Sequence, residues 1–201
     1  MEKLLPIGAL VFFLTHMIPL QPINRRRLVG WLGQRGYKTA ISVFAVIGLG
    51  LMIAGFTLTP RMDAIQMPAW GVYLPAIVMP LAFILVLAAY LPTNIRRYTW
   101  HPMLIGVMLW AISHVLASPY SASALFFGCF GLYGMFGLML SILRGKPETL
   151  PPPQPIRKDL IVVGLGLAAY VLMIASHHML FGVSALPWIF GGSAAEVAPP
   201  G

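Results

Sequence analysis

Carboxylates are scarce in this chain. Its 201 residues hold five, Glu2, Asp63, Glu148, Asp159 and Glu196, all between the long apolar runs or at their ends. That argues against a carboxylate-rich metal centre, a carboxylate acid–base pair and a proton relay through intramembrane Asp or Glu. Cysteine is scarcer still. Cys129 stands alone, which excludes a disulfide framework and any multi-cysteine zinc or iron–sulfur site. Charged residues make up 9% of the chain and hydrophobic residues 59%, with a mean hydropathy of +0.85. A water-soluble domain of this size cannot cover that much apolar surface with so few charges, so lipid must cover part of it.

What is present is apolar sequence in blocks. A helix needs about 20 apolar residues to cross roughly 30 Å of hydrocarbon. Six stretches qualify or nearly do: Leu4–Leu20, Ala40–Leu58, Val72–Leu91, Met103–Ala117, Ser121–Leu143 and Leu160–Phe181. The first and fourth are short and are expected to borrow flanking residues. Prolines mark the separators: Pro19 and Pro22, Pro60 and Pro68, Pro92, Pro119, then Pro151, Pro152, Pro153 and Pro155, as turns require. Pro102 suits the first turn of a helix. The expected fold is an all-α polytopic membrane helix bundle of about six transmembrane helices over residues 1–183. A tail over 184–201 follows. Its Leu186 to Phe190 stretch is expected at the outer interface, where Trp188 is favoured, and its last ten residues are expected to be disordered.

Basic residues orient the bundle, because lysine and arginine favour cytoplasmic loops. Arg25, Arg26, Arg27, Arg35 and Lys38 fall in the first loop, Arg96 and Arg97 in the third, and Arg144, Lys146, Arg157 and Lys158 in the fifth. Those are eleven of the thirteen basic residues, all on one side if six helices alternate; Lys3 and Arg61 remain for the other. Both termini are thus expected on the non-cytoplasmic side. The net charge of +8 reads as an orientation signal suited to anionic lipid, and nucleic acid is not an expected partner. The first helix lacks a small-x-small cleavage site and precedes a basic loop, so it reads as retained rather than as a signal peptide.

Two residue classes have structural readings. Gly128, Gly131, Gly134 and Gly137 recur every three residues in the fifth span, as close helix packing in membranes favours. The twelve methionines read as core filler or lipid-facing side chains.

The histidines carry more chemistry. His16 and His114 lie inside the first and fourth spans, His177 and His178 near the outer end of the sixth, and His101 just before Pro102 at the cytoplasmic entrance of the fourth. An ionisable side chain within a span faces the bundle interior, a cofactor or a partner. For His101 the structural reading is helix capping or headgroup contact. For the others two readings stay open from residue type alone: hydrogen bonding between helices, or ligation of haem iron by two imidazoles from different helices. Trp110 lies one turn before His114 on the same face and could line a haem cleft.

Three strings resemble one family. Leu32-Gly33-Gln34-Arg35-Gly36-Tyr37-Lys38, then His101-Pro102-Met103-Leu104 running through Gly106 to Leu109-Trp110-Ala111-Ile112-Ser113-His114, then His177-His178-Met179-Leu180-Phe181-Gly182-Val183 are similar, in order, to motifs of the NnrU family. That family consists of bacterial membrane proteins named for nitrite and nitric oxide metabolism. It is related to the plant 15-cis-ζ-carotene isomerase, a haem b protein with histidine axial ligands. The resemblance implies the bacterial inner membrane, haem b, and His16 and His114 as the positions for its iron. His177 is held in reserve, because on six spans His16 and His114 differ in depth by roughly 5–15 Å at 1.5 Å per residue. Ala111 stands where the plant enzyme has a cysteine, Gln34 replaces the family's usual acid, Trp100 its arginine, and Ser118-Pro119-Tyr120 a common Asn-Gly-Asp.

The expected functions are ordered accordingly. The first is a haem b membrane protein, acting as a cis–trans isomerase of a lipophilic polyene such as a carotenoid. The alternative is a non-enzymatic membrane factor linked to nitrite and nitric oxide metabolism. A membrane methyltransferase ranks last, because Trp100 breaks the RHP string and the acidic, aromatic methyl-donor segment is absent.

Overall fold

Lipid-length helices dominate the computed structural model, which describes residues 3–60, 66–145 and 150–190. In chain order these are α1 (Leu4–Leu20), α2 (Pro22–Leu58), α3 (Leu74–Tyr90), α4 (Asn94–Thr99), α5 (Pro102–Ala117), α6 (Ser121–Arg144), α7 (Ile156–Phe181) and α8 (Pro187–Phe190), with a 3-10 turn at Gly71–Tyr73. Four segments are long and apolar enough to cross a membrane: Pro22–Leu58, Gly71–Tyr90, Ser121–Arg144 and Ile156–Phe181. Two shorter apolar helices, Leu4–Leu20 and Pro102–Ala117, complete the set. These are the two expected to be short; at 17 and 16 residues they reach about 25 Å and 24 Å. Side chains such as Val46, Ile77, Ile142 and Leu172 stand exposed along these helices, as suits a surface that meets lipid. The chain is an all-α membrane helix bundle.

The first separator is a correction. Residues 21–39 were expected to be loop, and from Pro22 onward they are helical apart from a break at Gly33. Pro22 opens α2, where its missing N–H costs nothing. Gly33, at φ 68° and ψ 165°, then breaks α2 into arms 22–32 and 34–58. Side chains other than glycine essentially never adopt that conformation. Pro19 likewise sits inside α1 rather than in a turn. The third separator also holds a helix that the residue pattern did not foretell, α4. Arg61 and Lys146 of the orientation count, and the expected disorder of the last ten residues, lie outside the described residues.

The chain divides into two compact units, residues 1–64 with 120–129, and residues 65–119 with 130–201. In the first, α1 and α2 pack with their backbones nearly touching. A methyl on Gly48 would come within 2.6 Å of the Phe12 nitrogen, and one on Gly8 within 2.8 Å of the Gly48 carbonyl. Phe56 packs against Phe126, with ring centroids 5.2 Å apart.

In the second unit α3 is central and carries α5 and α7. Tyr170 of α7 donates its hydroxyl to the Ala76 carbonyl of α3 at 2.8 Å. Gly134 and Gly137 of α6 face Met108 and Leu104 of α5, and Gly131 faces Ala111. The packing reading of the glycine run therefore holds for these three. Gly128 has nothing within 4 Å of an added methyl.

A polar clamp closes the basic end of this unit. The Asn94 backbone N–H and side-chain amide donate to the two Asp159 carboxylate oxygens at 2.7 and 2.6 Å. The same amide donates to the Gln154 carbonyl at 2.7 Å, and its oxygen accepts from the Gln154 N–H at 2.9 Å. Arg97 donates to the Pro151 carbonyl at 2.7 Å. Buried Asp159 thus serves two helix N-termini, its own in the first turn of α7 and that of α4, where an anion is favoured.

Candidate cofactor-binding histidines

His16 and His114 are built by the same local device. Each follows a hydroxyl residue by one position and an aromatic residue by four: Phe12-Phe13-Leu14-Thr15-His16 on α1, Trp110-Ala111-Ile112-Ser113-His114 on α5. Helical spacing places the aromatic carbonyl beneath the imidazole. His16 Nδ1 lies 2.7 Å from the Phe12 carbonyl oxygen, and His114 Nδ1 lies 2.8 Å from that of Trp110. The same carbonyls accept the hydroxyls of Thr15 at 2.7 Å and Ser113 at 2.9 Å.

A carbonyl oxygen can only accept, so Nδ1 must carry the proton in both rings. In the neutral imidazole the lone pair then belongs to Nε2. That is the tautomer a metal-ligating histidine needs, with its other ring nitrogen held by an oriented acceptor. The aromatic side chains restrict the rings further. Phe12 and His16 have centroids 4.1 Å apart at 31°, and Trp110 and His114 have centroids 5.8 Å apart at 53°. Trp110 also meets Phe130 edge-on at 5.1 Å. Trp110 therefore lies beside His114, as the spacing implied.

His177 has a different lock. Its Nδ1 lies 2.8 Å from the Val183 carbonyl, beyond the end of α7. Gly182 makes that reach possible with φ 71°, and its N–H returns to the His178 carbonyl at 2.8 Å. His177 Nε2 is freed by the same logic, on a helix end rather than within a span. His178 is exposed. His101 occupies the N-cap of α5 but its side chain caps nothing, so the capping expectation fails. The residue before it, Trp100, has φ 57° and ψ −42°, a sparsely populated positive-φ conformation that costs about 1–3 kcal/mol.

His16 belongs to the first unit; Trp110, His114 and His177 belong to the second. Among the described residues no three His, Cys, Asp or Glu side chains gather as a metal site. Thr15 and Ser113 were overlooked in the sequence, although the repeated aromatic-x-x-hydroxyl-His pattern was there to be read.

One protein family matches the chain: the model described as NnrU protein aligns with residues 4–185. No curated protein and no solved structure matches.

Proposed function

The chain belongs to the NnrU family, and from that premise we propose that it binds haem b between its helices, with His16 and His114 as axial ligands through Nε2. The observation that carries this reading is the duplicated lock. Two imidazoles on separate apolar helices have Nδ1 tied to a backbone carbonyl at 2.7 and 2.8 Å, which puts the ring lone pair on Nε2 in each. Residues around them are aliphatic, aromatic or hydroxyl-bearing, which suits a porphyrin face.

Bound haem b would supply a redox-active iron able to engage a C=C bond of a lipophilic polyene. This chain's share is to fix the two imidazoles, exclude water with Phe12, Trp110 and Phe130, and orient an extended substrate along apolar helices. If both histidines held the iron, an isomerase role would need access for the polyene beside it, which the residues around His16 and His114 would have to provide. Ala111, fully buried, has no thiol with which to replace either histidine. That observation favours a second reading, a non-enzymatic membrane factor in nitrite and nitric oxide metabolism. In both readings the protein resides in a bacterial inner membrane with both termini outside.

The test is direct. The protein is expressed with ample haem, purified in detergent, and its oxidised and reduced visible spectra are recorded. A Soret band with stoichiometric haem is expected, and its absence overturns the proposal. Conversion of a cis-carotene by the reduced protein would establish the isomerase; haem binding without conversion would favour the accessory factor.

A further inference from the structure

The haem reading leaves the Gly33-Gln34-Arg35-Gly36-Tyr37-Lys38 string without a role, yet that string builds one wall of a cavity. The cavity lies wholly within the first unit, has a volume of about 450 Å3, and is lined by Pro19, Arg25, Tyr37, Lys38, Ile41 and Ser42. It lies inside the bend of α2. The break at Gly33 lets Arg25 of the first arm share an open recess with Tyr37, Lys38, Ile41 and Ser42 of the second, and Pro19 in the last turn of α1 borders it.

The polar lining has one sign. No acidic side chain lines the cavity, and among the described residues Arg25 and Lys38 make no ion pair. Tyr37 is only 6% exposed, and among the described residues its hydroxyl makes no hydrogen bond. Among the described residues no fully buried polar side-chain atom lacks a partner, so this hydroxyl keeps some accessible surface, and Tyr37 lines the cavity. Two exposed cations and a buried tyrosine line one cavity with no acidic side chain among its lining residues. Such a set calls for an anion that accepts hydrogen bonds.

The surroundings identify its source. Ile23, Trp31 and Leu32 on the first arm of α2 are exposed, Trp31 at 82%, beside Arg25, Arg26 and Arg27 on the same arm. Exposed apolar and aromatic side chains among arginines mark an arm lying at headgroup depth. Basic segments of this kind face the leaflet rich in anionic lipid. Pro19 and Ile41 supply an apolar wall that a bare inorganic anion would not use.

We infer that this cavity binds the phosphate of an anionic phospholipid. Arg25 and Lys38 neutralise the phosphate, Tyr37 donates a hydrogen bond to one of its oxygens, and Pro19 and Ile41 contact the adjoining glycerol and acyl portion. The inference is independent of haem.

Native mass spectrometry of the full chain in detergent tests it. The chain is titrated with phosphatidylglycerol, with phosphatidylcholine of the same acyl chains, and with sodium phosphate. One tightly retained phosphatidylglycerol is expected, with affinity at least about tenfold above phosphatidylcholine. Tyr37→Phe keeps the ring and should keep the thermal midpoint, while weakening phosphatidylglycerol roughly three- to tenfold. Arg25→Ala with Lys38→Ala should reduce it to the phosphatidylcholine level. Arg26→Ala with Arg27→Ala, which do not line the cavity, should change it less than about twofold. An equal loss in that control pair would mean diffuse surface charge and overturn the site. Inorganic phosphate binding as tightly as phosphatidylglycerol would overturn the lipid assignment. So would variants at Arg25 and Lys38 that lose haem while keeping lipid, since the cations would then serve haem carboxylates.

Discussion

At the scale of single residues, the account rests on two carbonyl oxygens that hold two imidazole protons. The acceptors are backbone atoms, which separates the roles of neighbouring side chains. Trp110→Leu removes a ring beside His114 but not the carbonyl, so the tautomer and the axial bond should survive it, with a changed Soret shape. Ser113→Ala removes the hydroxyl that shares the Trp110 carbonyl at 2.9 Å. Its direct cost should be about 1 kcal/mol, readable as a lowered thermal midpoint in detergent. Haem dissociation should quicken by roughly tenfold as the imidazole loosens. A stopped-flow haem-transfer assay that shows Trp110→Leu losing haem faster than Ser113→Ala would contradict this division. The histidines themselves were legible in the sequence because ionisable groups in apolar runs stand out. Thr15 and Ser113 were not, because a hydroxyl in a helix ordinarily satisfies itself on the preceding turn and carries no signal of a neighbour it supports.

At the scale of elements, close helix approach and one buried polar clamp do most of the positioning. A side chain on Gly48 would meet the Phe12 backbone, so Gly48→Leu should cost about 1–3 kcal/mol or more by overpacking. Gly164 of α7 has nothing within 4 Å of an added methyl. Gly164→Ala should therefore be neutral or stabilising by up to about 1 kcal/mol. Paired thermal melts in one detergent compare them directly, and equal losses at both positions would refute the packing account. Asn94→Ala should cost about 1–3 kcal/mol, since it leaves the buried Asp159 carboxylate short of a donor. Loosening should concentrate at α4 and the start of α7, where hydrogen exchange would rise.

The six apolar runs predicted six helices closely, four of them long and apolar enough to cross a membrane. Leu4–Leu20 coincides with α1, and Ser121–Leu143 falls one residue short of α6. Apolar length is a direct consequence of bilayer thickness. The failures are polar. Arg25, Arg26 and Arg27 made residues 22–32 look like loop, although an amphipathic arm at an interface can be helical without being apolar. Asn94 and Asp159 lie 65 positions apart, and no local pattern announces such a pair.

At the scale of the whole molecule, the basic residues predict orientation. In a Cys129→Ser background, a cysteine placed at Ser184 should react with a membrane-impermeant maleimide on intact cells. One placed at Asn24 should react only after permeabilisation. The reverse pattern would invert the topology. The expected orientation rests on charge counts alone, which a sequence carries in full, whereas ligand identity depends on which ring nitrogen carries the lone pair.

The central claim is that His16 and His114 together ligate one haem b, and near-infrared magnetic circular dichroism of the oxidised protein reads axial ligands most directly. Wild-type protein should give the low-spin band of bis-histidine haem. His16→Ala and His114→Ala should each abolish it, and His177→Ala should leave it in place. A bis-histidine band that persists in either of the first two variants, or disappears in the third, would contradict the account.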